Sequence, residues 1–231
     1  PFEGIAVINS DFKTPLGIIS VDPVGIKQLL KANNKIKEFP EVFEREHALE
    51  VQLPFLQSVL KDFKLIPIVM GSVSFENCQA LADALWPMVK TNKVLIVAST
   101  DLSHYKPGGL NDSLDEQAMK LLVKGEPKDL LRSSASGNCE LCGIGPVAVV
   151  MLLAAQKGSK VEVLHHANSG DTTGDYGAVV GYMSAAYFDA SKKVSTDIDE
   201  FNLTRDEQKA LLKLARDSIS AQLNGKELPS T

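Results

Sequence analysis

Short runs of β-branched and aliphatic residues alternate along this chain with longer stretches of helical periodicity, and that alternation admits few architectures. The runs at residues 4–8, 16–21, 65–70, 94–98, 161–164 and 179–187 predict strands. Each is short, rich in Val, Ile and Leu, and bounded mostly by Gly, Pro, Asp, Asn or Ser, as buried strands tend to be. Residues 23–32, 48–60, 74–89, 111–124, 127–133 and 145–156 predict helices. The expectation is an α/β fold with a mixed, largely parallel sheet flanked by helices. In such folds ligands bind beyond the carboxyl ends of strands, which directs attention to the residues after 94–98 and 161–164.

Charge and composition remove several function classes. Lys and Arg number 24 against 29 Asp and Glu, a formal charge of −5, which argues against a dedicated nucleic-acid binder with its clustered basic face. The longest apolar stretches, such as residues 147–155, fall far short of the roughly 20 residues of a membrane span. Three cysteines cannot close a disulfide framework, and no charged-then-apolar leader opens the chain. A cytoplasmic globular protein is expected. Composition turns polar near Ala190, and residues 189–202 read as a linker. Beyond it Thr204 and Glu207 form a capping-box pattern, and Leu211, Leu212, Ala215, Ile219 and Leu223 recur at helical spacing before Asn224-Gly225. That amphipathic helix, over 203–231, either docks on the main domain or belongs to another one.

Several groups carry candidate chemistry. Asp101-Leu102-Ser103-His104 sets a carboxylate and an imidazole three residues apart just past the 94–98 run. The pair suits general acid–base work, and equally reads as a helix cap followed by a loop histidine. His47 and Glu50 share one face if their segment is helical; a solvated helix start is the plainer reading. Cys139 and Cys142 form a single CxxC preceded by loop, so a four-cysteine zinc site within the chain is excluded, while Cys142 at the mouth of a helix remains a possible lone metal ligand. Cys78, on an apolar helical stripe, reads as core. The loop Ser169-Gly170-Asp171-Thr172-Thr173-Gly174-Asp175 lacks the Lys of a phosphate-binding loop and is either a pocket lining or a tight connector. Of His165 and His166 at most one can serve as a ligand, because consecutive strand residues face opposite ways. No G-x-S-x-G elbow occurs, which disfavours a hydrolase acting through Asp101 and His104.

Three segments then converge: Glu46-His47-Ala48-Leu49-Glu50-Val51-Gln52-Leu53-Pro54-Phe55-Leu56, Ser99-Thr100-Asp101-Leu102-Ser103-His104-Tyr105, and Asn168-Ser169-Gly170-Asp171-Thr172-Thr173-Gly174-Asp175. With Thr14-Pro15-Leu16-Gly17, Ile66-Pro67-Ile68-Val69-Met70-Gly71, Cys142-Gly143 followed by Pro146, and Val180-Gly181-Tyr182, they resemble the MEMO1 family, known in prokaryotes as AmmeMemoRadiSam system protein B. The resemblance covers residues 1–188, and the tail from Leu203 resembles the first helix of an AMMECR1 domain. It implies a fold similar to class III extradiol dioxygenases, which hold a nonheme Fe(II) with two His and a carboxylate. In MEMO-type proteins a Cys stands in the carboxylate position.

Carried onto this chain, the resemblance gives Cys142 the metal-ligand role, His104 with Asp101 the acid–base role, and His47 the place of a second active-site imidazole. It implies Fe(II) or Cu as the cofactor of the intact protein and a dioxygenase-like redox function on an unidentified small molecule. The competing expectation is a non-catalytic scaffold that uses the same pocket for a peptide partner. Association through the C-terminal helix or an AMMECR1 domain is a further expectation, with no role at nucleic acid or membranes. The family's two metal-binding His lie in upstream Pro-His-Ala-Gly and Gly-Pro-Ser-His segments that do not occur here, and Pro1-Phe2 matches the residues just after the second. One ligand of three would remain, so this chain alone is expected to bind little or no metal.

Overall fold

Local sequence places the helices closely. The computed structural model describes residues 2–60, 62–91 and 94–189. Strand β1 (Ile5–Val7) is followed by a hairpin of β2 (Phe12–Thr14) and β3 (Gly17–Ile19) and by helix α1 (Pro23–Ala32). Asp22 starts α1 by accepting the Val24 N–H at 3.1 Å, and Pro23 follows where a missing N–H costs nothing. Then come β4 (Ile36–Glu38), a 3-10 turn (Pro40–Arg45), α2 (Leu53–Val59), β5 (Ile68–Met70) and α3 (Phe75–Val89), the last capped by Ser74. The remaining elements are β6 (His104–Lys106), α4 (Gly108–Lys124), α5 (Pro127–Ala135), α6 (Ile144–Lys157), β7 (Ser159–Asn168), α7 (Gly170–Thr173) and β8 (Val179–Asp189).

The α/β class and its mixed sheets agree with expectation, but the strand directions correct one part of it. Among the described residues β1 runs parallel to β4, while β1–β5, β2–β3, β6–β8 and β7–β8 are antiparallel, so the sheets are mixed rather than largely parallel. Residues 94–98 depart from expectation as well. They keep the period-2 burial of a strand, with Leu95 and Val97 exposed by 68% and 48% and Ile96 packed on the core, yet they pair with no strand among the described residues. β2, β4 and β6 were not expected, because Phe12-Lys13-Thr14, Ile36-Lys37-Glu38 and His104-Tyr105-Lys106 carry no run of β-branched or aliphatic residues. The predicted helix over 48–60 is shorter than expected because Pro54 fits the first turn and residues 48–52 form turns ahead of it. The expected linker and C-terminal helix fall, apart from Asp189, outside the described residues.

Two apolar clusters hold the fold. One joins β1, α1, α3 and one face of α6; the other joins α4, α5 and the opposite face of α6 to the β7–β8 pair. α6 is apolar nearly all round because it is buried on both sides, Val149 and Leu153 in one cluster and Val147 and Met151 in the other. Cys78 sits in the first cluster and Cys139 in the second, both fully buried, as core residues.

Among the groups that burial raises are Cys78, to about 11, and Tyr187, to about 12. Both pKa values are higher folded than unfolded. Their neutral forms therefore support the fold below about pH 9, and that support is lost as pH rises through 11 to 12. Denaturant titrations at pH 8 and 11 are expected to differ by about 2 kcal/mol through Cys78 and about 1 kcal/mol through Tyr187. The Tyr187 hydroxyl is also buried without a hydrogen-bond partner. Tyr187→Phe is therefore expected to stabilise the protein by about 1 kcal/mol at neutral pH and to flatten its alkaline loss, both read from the same titrations.

Candidate functional site

The site forms where residues 99–104 meet the start of α6. Gly143 caps α6, and its N–H donates to Thr100 Oγ1 at 2.9 Å while that hydroxyl donates to the Asp101 carbonyl at 2.7 Å. A side chain at Gly143 would collide with the Ser99 carbonyl oxygen and stand 2.7 Å from Thr100 Cβ, so only glycine lets the helix start approach this closely. The Cys142 N–H donates to the Asp101 carbonyl at 3.3 Å, and the Asp101 N–H donates back to Cys142 Sγ at 3.0 Å. Thr100 Oγ1 lies 3.8 Å from the same sulfur.

This reciprocal pairing brings three donors together. One ligand atom each from Asp101, His104 and Cys142 lies within 4.8 Å of the other two. Asp101 Oδ2 and His104 Nε2 are 3.6 Å apart, too long for a strong hydrogen bond but close to the roughly 3.3–3.8 Å between two donors on one tetrahedral ion. Cys142 is exposed, and the Asp101 and His104 side chains are about half to a third exposed, so the cluster is open to solvent. Tyr182 adjoins it: burial first, then the Asp101 charge and Tyr105, push its phenol pKa up.

His104 opens β6, whose pairing with β8 is interrupted at Tyr105. Tyr105 takes a φ of +56°, a conformation that costs a bulky residue about 1–3 kcal/mol. The bulge carries the Tyr105 ring 78% into solvent and leaves His104 and Lys106 on the ladder. Glu140, from the segment before α6, receives the His104 N–H at 3.4 Å and pairs with Lys106 at 3.1 Å. Both ends of the 139–142 segment are thus fastened to residues 100–106.

Not every expected residue joins the cluster. His47 pairs with Glu50 at 2.7 Å across a turn rather than along a helix, and its side chain is 80% exposed. The connection of its segment to the site is Gln52, whose amide donates to Ser99 Oγ at 3.1 Å. Asp101 precedes a strand and caps no helix. The polar 169–175 loop is largely a self-bonded connector. Asp171 accepts the Asn168 N–H and the Tyr176 hydroxyl, which together hold its carboxyl below the usual range. The expectations that Cys142 stands as a lone ligand and that this chain alone binds little or no metal give way to a proposal of metal binding, because Asp101 and His104 stand beside the sulfur. Thr100, Tyr182 and Glu140 were given no role of their own from sequence; their roles arise from contacts between distant segments.

The model of a family described as Memo-like protein matches residues 2–186. The chain belongs to the Memo-like family. A MEMO1 family protein of Saccharolobus islandicus is 36% identical over 183 residues, covering 78% of this chain and 64% of its own length. One from Sulfolobus acidocaldarius is 37% identical over 181 residues, covering 77% of this chain and 64% of its own. The Saccharolobus solfataricus relative is 35% identical over 183 residues. The chain thus spans 64% of the length of these Memo-like relatives. Among the described residues no helix is long and apolar enough to cross a membrane.

The donor set in this Memo-like chain suits a borderline transition metal. Thiolate and imidazole select iron, copper or zinc over calcium or magnesium, and one carboxylate is compatible with all three. Three protein donors leave positions for other ligands, as catalytic sites require. A backbone N–H directed at a ligand atom is a usual means of orienting it, and Cys142 Sγ accepts one from Asp101.

Proposed function

We propose that this Memo-like protein contributes to a nonheme metal-dependent redox centre with dioxygenase-like chemistry. The observation that carries the proposal is the convergence of Asp101, His104 and Cys142 at a solvent-open junction. Cys142 would hold the metal through its sulfur, and His104 Nε2 and Asp101 Oδ2 are the further donors this chain offers. When bound, an iron or copper ion would supply one-electron chemistry and activation of oxygen. Where additional protein ligands complete the coordination, His104 would hold or pass a proton to the bound molecule, with the Asp101 carboxylate beside it. The resemblance gives His47 the second proton-handling role.

The test is oxygen consumption by protein loaded anaerobically with Fe(II) and supplied with catechols of graded size. Consumption that exceeds that of Cys142→Ala by at least tenfold supports the proposal. Equal rates for the two proteins would leave the site as a binding surface without redox chemistry.

A further inference from the structure

A second polar unit lies directly behind the cluster, in the protein interior. Asp115 of α4 is fully buried, and Oδ1 accepts both the Ser103 N–H at 3.0 Å and the Ser103 hydroxyl at 2.6 Å. Its other oxygen, Oδ2, pairs with His166 Nε2 of β7 at 3.0 Å. The Ser103 carbonyl receives the Asn111 amide at 3.1 Å and the Gly181 N–H at 2.9 Å. Every backbone and side-chain polar group of Ser103 is therefore bonded inside the protein. Its neighbour Leu102 is fully buried and donates its N–H to Gly181.

A buried carboxylate is expensive, by several kcal/mol even after relaxation, and α4 has no packing need for one. Asn111, Asp115, Ala118 and Leu122 form its inward stripe at helical spacing, where apolar residues would pack as well. The charge is kept where its effect falls on Ser103, which lies in sequence between the two partly exposed donors Asp101 and His104. His166 answers the charge and is itself a quarter exposed, facing a cleft lined by Asp112, Glu116 and Asp171.

We infer that Asp115, braced by His166, is a positioning residue: by clamping Ser103 it fixes the separation of Asp101 and His104 and their approach to Cys142. Neither residue belongs to the Asp101, His104 and Cys142 cluster. The inference takes its main readout from the proposed metal centre, and a second readout is independent of it.

Anaerobic cobalt(II) titrations of the full chain, followed by sulfur-to-cobalt absorption, compare wild type with Ser103→Ala, Asp115→Asn, His166→Ala and His166→Gln. Circular dichroism melts are recorded beside each. Asp115→Asn and His166→Ala are expected to weaken cobalt binding at least tenfold. His166→Gln, which keeps a donor for Asp115, is expected to recover most of it. Ser103→Ala is the mildest change and should fold; it is expected to weaken binding severalfold. The rate of Cys142 alkylation at fixed pH is measured for the same variants without metal, Cys78 and Cys139 being buried. It should change severalfold in the same order. Wild-type cobalt affinity and alkylation rate in folded Asp115→Asn and Ser103→Ala would overturn the inference. Cobalt silence in wild type with altered alkylation in the variants would reject the metal centre and retain the clamp.

Discussion

Cys142→Ala is expected to reduce metal affinity by at least a hundredfold while leaving the melting temperature within a few degrees of wild type. The thiol is exposed, fills no core space, and gives up one accepted N–H and a distant hydroxyl contact. Its loss should therefore cost about 0.5–1.5 kcal/mol of stability. Its loss from the site is of another order, because it is the one sulfur in a three-donor set and thiolate gives the set its preference for iron, copper and zinc. Inductively coupled plasma metal analysis together with a calorimetric melt separates the two effects. His104→Ala should fall between, with metal affinity lowered about tenfold, since an imidazole is replaced more readily by water or buffer ligands than a thiolate is.

Gly181→Ala is expected to be the most damaging single-methyl change in the fold. A Cβ at that position collides with Asp115 Oδ2 and stands 2.6 Å from its Cγ. Gly181 is also locked on both sides, donating to the Ser103 carbonyl and accepting from Leu102. Either β8 moves and loses those bonds, or Asp115 moves and leaves its buried charge without Ser103 and His166. The cost is about 3–5 kcal/mol, enough to unfold a marginal domain. Gly109→Ala is the control: it lies in α4 with nothing within 4 Å of the added methyl, and alanine there should stabilise by up to about 1 kcal/mol. Denaturant titrations of the two variants measure the contrast directly.

Helices were readable from sequence because their ends are written in residue chemistry. Asp22-Pro23 and Ser74 fix the starts of α1 and α3, and the apolar run in α6 is too continuous to be anything but a buried helix. Strand partners were not readable. Pairing depends on which segments are brought side by side, and residues 94–98 have the pattern of a strand without a partner among the described residues. The site divides in the same way. Asp101, His104 and Cys142 were recognisable by type and order, but their convergence depends on Gly143 allowing α6 to start against residues 99–100. Asp115 carried a signal that could have been read, since an acid at the centre of an inward helical stripe marks a buried polar partnership. That its partners are Ser103 and His166 follows only from tertiary structure. His47 shows the limit of spacing arguments: its carboxylate partner is Glu50, as three-residue spacing suggests, yet the pair lies on an exposed turn.

The central claim is that Asp101, His104 and Cys142 form one metal centre. Anaerobic titration of the full chain with cobalt(II), monitored by sulfur-to-cobalt absorption, tests it most directly. The account predicts saturation at one equivalent, with the absorption absent in Cys142→Ala and the affinity lowered in His104→Ala and Asp101→Asn. No saturable sulfur-to-cobalt signal in the wild-type chain, or one that is unchanged by His104→Ala and Asp101→Asn, would contradict it.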